Sequence, residues 1–319
     1  MSLRWGIVAT MKAPAQAVLD FAAWHLELGA HRLYLHLDDP ADPVAPTLKA
    51  HPRIRAIRCT DGYWQRQGQH PKRHQVRQSA NATRIYHAAA GKVDWLTHID
   101  VDEFLMPATS VHASLSALPA SCQSARIRPM EALAPDGPAP DDASSLVRFK
   151  RFSPDPDLRR AQTSRIYPQF GDWLNGGMLS HVAGKLFVRP GLPGGVLKIH
   201  NLFTDMGQNP GIRDLADMAL AHFHAADWDS WSAHFAYRLE KGSYRETLKP
   251  AAPGQETLHE LLARIHGAEG QDGLRRFYDA VCRDTPELRA RLAAEDLLSE
   301  AQMDFPALRR RHFRQAAHP

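Results

Sequence analysis

The sequence has few cysteines, and none of them lies in a spacing typical of a metal site or a redox pair. The three, Cys59, Cys122 and Cys282, are far apart and odd in number, and no C-x-x-C occurs. This pattern favours a reducing compartment over a disulfide framework or a zinc module. No run of 18 apolar residues occurs either, so no membrane-spanning helix is expected.

The sequence also lacks a convincing signal peptide and a basic block. Its first 21 residues carry one Arg and only a short apolar run before Lys12, which is a poor match to a secretory signal. The net charge of +4 and the pI of about 9.0 favour anionic ligands weakly, but the arginines are scattered, unlike those of a nucleic-acid-binding protein. We expect a cytoplasmic protein, and a peripheral contact with the inner face of the membrane stays open.

Strand and helix patterns alternate over the first 60 residues. Short β-branched runs predict strands in RWGIVATM, HRLYLHLDD and RIRAIRC, with helices in the two segments between them. A longer helix, ending at Gly91, precedes a fourth strand in VDWLTHIDVDEFL. Alternation of this kind implies an α/β fold with a mostly parallel sheet flanked by helices.

Acidic residues follow two of the predicted strands. Asp38 and Asp39 come after the second strand, and Asp100, Asp102 and Glu103 come at the end of the fourth. Ligands of open α/β sheets bind at the carboxyl ends of the strands, so both groups could face one crevice. On a continuing strand, residues two apart share a face, and such an Asp-x-Asp pair could hold Mg²⁺ or Mn²⁺ against a diphosphate. The alternative is a strand that has ended and met water.

The rest of the chain has a less regular pattern. Residues 107–145 predict one short helix and a long loop, and residues 147–200 predict irregular structure with short strands between glycines. A helical pattern returns in RDLADMALAHFHAADWDSWSAHFAYRLEKG, with a break near His224. Residues 255–316 are predicted to be helical and to end in an arginine-rich segment, LRRRHFRQ.

The segment DWLTHIDVDEFL, after a helix carrying RQSANATRIY, resembles the GT-A glycosyltransferases, in particular the family-2-like group with a dW…iDxDEF segment. Looser matches are residues 5–42, GKLFVRPG, KIHNLF and residues 222–242. The resemblance implies a GT-A domain over residues 1–242 with a helical extension over residues 243–319 packed on it. It also implies metal-dependent transfer, with inversion, of a sugar from a nucleoside-diphosphate sugar to a glycan or lipid-linked acceptor.

The resemblance also gives roles to the acidic residues. Asp100 and Asp102 would hold the divalent metal that bridges the sugar-nucleotide diphosphate, and Glu103 would brace the loop or help to bind the metal. Asp38 or Asp39 would contact the ribose or the base.

A histidine would complete the metal shell in such folds. His200 is the first candidate, and His222 and His224 are the next. An imidazole ligand suits Mn²⁺ better than Mg²⁺. With 18 histidines in the chain, an ordinary core or surface histidine is an equal alternative for His200.

Basic residues near the predicted strand ends could bind the nucleotide. Lys185 and Arg189 flank a strand and could neutralise the diphosphate leaving group, and Lys12 follows the first strand. A solvated surface charge is the alternative for each. Arg73, Arg77 and Gln78, on the helix before the acidic cluster, either anchor phosphate or the Asp100 loop, or lie on an exposed helix face; the exposed face is favoured.

Inverting transfer also requires a general base for the acceptor hydroxyl. Asp172, in the glycine- and tryptophan-containing segment QFGDWLNGG, is the candidate, with Asp205 as the other choice. The alternative for Asp172 is a turn or helix-cap aspartate.

Two other classes of function compete with glycosyl transfer. Clustered aspartates also suit a metal-dependent phosphoester hydrolase, although no second metal motif appears. The arginine-rich segment suits a non-enzymatic RNA-binding or membrane-surface protein, although Phe305, Leu308 and Phe313, in and just before it, favour a packed helix.

Overall fold

The structure is a computed structural model that describes residues 3–68, 71–136, 146–242, 244 and 256–313. The strands are β1 (Trp5–Met11), β2 (Arg32–Leu37), β3 (Ile54–Arg58), β4 (Trp95–His98), β5 (Glu103–Pro107), β6 (Ser124–Ala132), β7 (Leu146–Lys150), β8 (Lys185–Val188), β9 (Val196–Leu197), β10 (Leu202–Thr204), β11 (Gly207–Gln208), β12 (Arg213–His222) and β13 (Leu298–Gln302). The helices are α1 (Ala15–Glu27), α2 (Ala45–Ala50), α3 (Asp61–Gln65), α4 (His74–Ala88), α5 (Val111–Ser116), α6 (Pro156–Ile166), α7 (Trp228–Ala233), α8 (Phe235–Glu240), α9 (Leu258–Cys282), α10 (Pro286–Ala294) and α11 (Phe305–His312). Part of the predicted loop, residues 137–145, lies outside the described residues.

The chain divides into two compact units. The first unit comprises residues 1–128, 183–220 and 304–319, and the second comprises residues 129–182 and 221–303. Each unit is therefore assembled from segments that are far apart along the chain. The predicted boundary after residue 242 falls inside the second unit, and the predicted extension contributes residues to both units.

The first unit contains a sheet with the strand order β6-β8-β4-β1-β2-β3. Strand β1 pairs in parallel with β2 and β4, and β2 pairs in parallel with β3. Strand β8 is antiparallel to both β4 and β6. The predicted α/β class, with a parallel central sheet and flanking helices, is confirmed at this level of detail.

Apolar composition explains why β1 and β2 are the two inner strands of the parallel part of this sheet, β4-β1-β2-β3. Every residue of β1 is buried, and so are five of the six residues of β2. Parallel strands covered on both faces need such nearly continuous apolar runs. Because β1 is followed by β2 on one side and is flanked by β4 on the other, the strand order reverses at β1. The carboxyl ends of β1 and β4 are therefore the usual place for a ligand crevice.

Helix α11 packs on α1 within the first unit. Arg309 forms an ion pair with Asp20, and Arg311 forms one with Glu27. The ring of Phe305 lies 4.9 Å from that of Phe104, which belongs to β5. Two of the arginines in the basic segment are therefore engaged by acids of α1. Among the described residues, no helix combines the length and the apolar content needed to cross a membrane.

The second unit has its own core and contributes strands β7 and β13 to the sheet. Strand β7 is antiparallel to β13 and to the end of β6 at Glu131 and Ala132. Its core is formed by large side chains from its helices and loops, including Tyr167, Trp231, Phe235, Leu262, Phe277, Tyr278 and Leu292. Helix α9 supplies many of these side chains, and a capping box formed by Thr257 and Glu260 defines its start.

Three predicted segments differ from the structure. Residues 213–222, predicted as helix, form strand β12, because they pair with β5 and β6. Residues 298–302, also predicted as helix, form β13 by pairing with β7. Helix α6, in the region predicted to be irregular, begins at the N-cap Asp155, whose side chain accepts from the backbone of Asp157 and Leu158. In the first two cases strand pairing outweighs local propensity.

Candidate functional site

The acidic residues after β4 lie on a turn. Strand β4 ends at His98, and β5 begins at Glu103, so Asp100 and Asp102 are not on a continuing strand. The backbone amide of Glu103 donates to the carbonyl of Asp100 at 3.1 Å. The amide of Asp100 donates to Oε2 of Glu103 at 2.8 Å. The predicted strand geometry of Asp100 and Asp102 was therefore wrong, and a closed turn presents them instead.

Lys185 lies against this turn from the neighbouring strand. Its Nζ donates to Oδ2 of Asp100 at 2.6 Å and lies 3.2 Å from Oε2 of Glu103. The side chains of Lys185 and Glu103 are completely buried, whereas that of Asp100 is 28% exposed. Burial alone would lower the pKa of Lys185, but the two carboxylates outweigh it and raise the pKa. The ammonium group therefore stays charged.

Helix α4 directs a polar stripe at the carboxyl ends of the parallel strands. Residues 74, 77, 78 and 81 recur at the spacing of one helix face. Arg77 makes a bidentate contact with Asp38, from Nε at 2.8 Å and Nη2 at 2.6 Å, and Gln78 donates to Oδ1 of Asp100. Asn81 donates to Thr10 of β1 at 3.0 Å. The favoured exposed face was therefore wrong for Arg77 and Gln78, because both hold acidic strand ends, whereas Arg73 is exposed.

Asp38 is held by two basic groups. Besides Arg77, the Nδ1 atom of His74 lies 3.4 Å from its Oδ2. Burial would raise the pKa of Asp38, but its hydrogen bonds with His74 and Arg77 and the charge of Arg77 prevail and lower the pKa to about 2. The neighbouring Asp39 is exposed and accepts from the amide of Ala41. Asp38 is thus a fixed carboxylate, and Asp39 is the more accessible of the pair.

An open pocket lies beside these residues. Its volume is about 330 Å³, and it is lined by Lys12, Asp38, Asp39, Pro40 and Arg77. The predicted nucleotide-contacting residues Lys12, Asp38 and Asp39 are therefore brought together. Their arrangement offers cations for phosphate oxygens and carboxylates for hydroxyl or amino groups.

His200 lies near the Asp100 turn in the first unit. Its Nδ1 is 2.8 Å from the carbonyl of Gly184, the residue before β8. Burial and then the charge of Lys185 lower the pKa of His200 to about 4, against the opposing charge of Asp100. The imidazole is neutral at pH 7, and a neutral imidazole is the form that can bind a metal ion.

Arg189 lies away from the acidic turn. Its Nε donates to the carbonyl of Cys122 at 3.0 Å, and its guanidinium stacks over the ring of Trp95 at 4.3 Å. Because Trp95 begins β4 and Asp100 follows its end, Arg189 is at the opposite edge of the sheet. This placement does not fit the expected role at the diphosphate, since β8 runs antiparallel to β4 and carries Lys185 and Arg189 to opposite edges.

The two candidates for the general base are both exposed. Asp172 lies in a 3-10 turn, Gly171–Trp173, in the second unit. Asp205 lies in the first unit, between β10 and β11.

The second unit also holds a buried charged cluster that the sequence interpretation missed. The carboxylate of Glu131 accepts from the amides of Leu179 and Ser180 at 3.0 and 2.7 Å and lies 3.3 Å from Nζ of Lys150. Burial would raise the pKa of Glu131, but Lys150, nearby histidines and Ser180 lower it to about 2. A lone acidic residue within the apolar part of β6 was the available signal.

His222 and His224 lie beside this cluster. Their rings are 5.3 Å apart, and the ring of His181 is 5.9 Å from that of His222. The Nε2 atom of His224 is 3.2 Å from the hydroxyl of Tyr244. These two alternative candidates for the third metal ligand lie in the second unit, where a donor atom of His222 lies within 4.8 Å of one of His181, close enough for both to bind one metal ion. His200 lies in the first unit.

Comparison with known proteins adds one similarity. Neither a protein-family model nor a curated protein matches this chain. The chain is similar to the crystal structure of residues 1–349 of TarS from S. aureus, with a TM-score of 0.33 and 11% identity over 99% of this chain and 93% of that chain. A TM-score of 0.33 does not establish a common fold. The fold and site define an α/β protein with charged groups at the carboxyl ends of parallel strands.

Proposed function

We propose that this protein is a metal-dependent glycosyltransferase that transfers a sugar, with inversion, from a nucleoside-diphosphate sugar to a glycan or lipid-linked acceptor. The observation that carries the proposal is that one helix, α4, donates hydrogen bonds to the acidic residues that follow two different strands. Arg77 holds Asp38, and Gln78 holds Asp100, at the edge of the sheet where α/β folds bind ligands. In this proposal the protein acts in the cytoplasm, with a peripheral membrane contact if its acceptor is lipid-linked.

The residues at the turn fit a divalent metal by the chemistry of their donor atoms. Asp100 and Asp102 supply carboxylate oxygens, which Mg²⁺ and Mn²⁺ prefer, and His200 supplies a neutral imidazole. Gln78 and Lys185 each occupy one site on Asp100, but a carboxylate has about four lone-pair sites in all. We assign the metal to these three side chains. When bound, it would stabilise negative charge on the departing diphosphate.

The remaining roles belong to the pocket and the general base. Lys12 lines the pocket with Asp39 and would bind a phosphate, while Asp39 would accept from the nucleoside. Lys185 is buried against Asp100 and Glu103, and we assign it to the turn and not to the diphosphate. Asp172 is the proposed base that removes the proton of the acceptor hydroxyl.

A thermal-shift screen with Mn²⁺ and a panel of nucleoside diphosphates tests this function. Ligand at a hundredfold excess over Kd stabilises the folded state by about 2.7 kcal/mol, so one diphosphate should raise the midpoint in a Mn²⁺-dependent way. Asp102→Ala should abolish the shift, whereas Asp157→Ala, an exposed aspartate of α6, should retain it. No shift with any diphosphate, or a shift unchanged in Asp102→Ala, would contradict the proposal.

The base assignment has a separate expected outcome. Asp172→Asn should lower kcat for sugar transfer at least a hundredfold, because general-base catalysis typically contributes about 10²–10⁴-fold. The Kd for the nucleoside diphosphate should stay unchanged, since Asp172 is exposed and is assigned to the acceptor. Asp205→Asn is the matched variant, and a larger loss there would move the role to Asp205.

A further inference from the structure

The carboxylate of Asp100 is held from two sides by donors on different elements. Gln78 of α4 donates to Oδ1, and Lys185 of β8 donates to Oδ2 at 2.6 Å. Lys185 also lies 3.2 Å from Glu103, whose Oε2 accepts the amide of Asp100. The side chains of Gln78, Lys185 and Glu103 are buried. Each oxygen of Asp100 thus has its own donor within the protein.

This arrangement differs from that of an ordinary surface carboxylate. An exposed aspartate needs no buried partner, whereas a buried ammonium is destabilising unless it is paired. Here the buried ammonium of Lys185 is paired with both ends of a four-residue turn, Asp100 and Glu103. The turn is consequently fixed in one shape before any ligand arrives. A preorganised site binds its ligand more tightly, because its residues lose less conformational entropy when the ligand binds.

We infer that Lys185 and Gln78 are positioning residues that hold the turn at residues 99–103 in its ligand-binding shape. They fix Asp100 directly, and they fix Asp102 through the backbone of the turn. The ligand is the divalent cation of the proposed function, on which this inference rests. Neither residue is assigned to contact the transferred sugar.

Binding of Mn²⁺ in the presence of a nucleoside diphosphate, followed by the electron paramagnetic resonance signal of free Mn²⁺, tests the inference. Gln78→Leu removes the donor while keeping a similar volume, and it should raise the Mn²⁺ Kd at least tenfold. The double variant Lys185→Met with Glu103→Gln removes one positive and one negative charge together, and it should raise the Kd by at least as much. Gln75→Leu, one turn earlier on α4, should bind like the wild type. Wild-type affinity in both test variants would overturn the inference.

Hydrogen exchange of the turn separates this inference from the proposed function. Backbone amides at residues 99–103 should exchange at least tenfold faster in Gln78→Leu than in Gln75→Leu, with β1 unchanged. If wild-type protein binds no Mn²⁺, the proposed function fails, and the exchange result alone decides the positioning role. Unchanged exchange at residues 99–103 would overturn it. Gln78→Leu keeps the test decisive if the double variant does not fold.

Discussion

Two side chains near the acidic strand ends, Asp38 and Lys185, form ion pairs at short range. Asp38 is held by Arg77, and Lys185 is held by Asp100 and Glu103. Such a pair is a weak contributor to stability as a whole, but removal of one partner leaves an uncompensated buried charge. Single substitutions should therefore be much more damaging than substitutions that remove both partners.

Asp38 should make stability depend on acidic pH. Its pKa is lowered from 3.8 to about 2 on folding, which corresponds to about 2 kcal/mol of stability. Because the folded-state pKa is depressed, this contribution is fully present above about pH 4 and is lost as the pH falls towards 2. Asp38→Asn should thus lower the free energy of unfolding by about 2 kcal/mol at pH 7.

Urea denaturation of both proteins between pH 7 and pH 2 measures this difference. The gap between wild type and Asp38→Asn should close as the pH falls through the range from about 4 to about 2. A constant gap over that range would show that the ionisation of Asp38 is not its source. Asp39→Asn is the matched control, since Asp39 is exposed and should show a small effect at every pH.

The effects of substituting Glu131 and Lys150 on the free energy of unfolding should be strongly non-additive. Lys150 donates to the carbonyls of Gly177 and Val281 at 2.6 and 3.0 Å as well as lying beside Glu131. Lys150→Met should lower the free energy of unfolding by about 3–5 kcal/mol, because it leaves the Glu131 carboxylate buried and uncompensated. Addition of Glu131→Gln should recover part of that loss. Additive losses in a double-mutant cycle, measured by urea denaturation, would contradict this account.

Helix α4 organises the strand ends as a single element. Asn81 contacts both Thr10 of β1 and Tyr63 of α3, one turn after the residues that hold Asp38 and Asp100. The spacing of 74, 77, 78 and 81 was readable from the sequence, because polar residues at helical spacing define one face. That this face points inward was not readable, since a polar stripe ordinarily faces water.

Asn81→Leu should destabilise the protein by about 2–5 kcal/mol. The substitution leaves the hydroxyl of Thr10 buried without its partner and removes one of the two partners of the Tyr63 hydroxyl, which also contacts Arg84, and an unmet buried polar group costs about 1–3 kcal/mol. Further substitution with Thr10→Val and Tyr63→Phe should restore part of the loss, since the stranded polar groups are then removed. Val76→Ala, exposed on the same helix, should change stability by less than about 0.5 kcal/mol. Urea denaturation measures all of these variants, and equal losses in Asn81→Leu and Val76→Ala would be inconsistent with a buried polar contact.

Prediction from the sequence succeeded where the hydrophobic periodicity is regular and the apolar runs are nearly continuous. Apolar runs and helical spacing predict strands β1–β4 and helix α4. Once these strands are placed, the acidic residues at the ends of β2 and β4 can be located as well. Strand β12 was predicted as a helix together with the residues that follow it, and its pairing with β5 and β6 makes it a strand instead. The burial of Lys185 against Asp100 depends on the antiparallel neighbour of β4, which local sequence does not encode.

At the scale of the whole chain, the two units are interleaved. Residues 1–242 include residues 129–182 and 221–242 of the second unit but lack α9 and α10. These helices contribute Leu262, Phe277 and Leu292 to the core of that unit. A fragment that ends at the predicted boundary therefore exposes apolar side chains of Trp231 and Phe235 that α9 covers in the full chain.

A fragment of residues 1–242 should consequently fail to unfold cooperatively. It should bind the dye ANS, because its partial core is exposed, whereas the full chain should show one or two sharp thermal transitions. A fragment of residues 1–313, which keeps α9, α10 and α11, is the matched control and should behave as the full chain does. Cooperative unfolding of the 1–242 fragment without dye binding would support the predicted boundary after all.

Contact between α1 and α11 has a consequence for synthesis on the ribosome. His312 pairs with Glu27 across 285 residues of sequence. At translation rates of about 5–20 residues per second, roughly 15–60 s separate the emergence of the two partners. During that interval the nascent chain exposes the surface of α1 that α11 later covers, including Trp24, whose ring contacts Phe305.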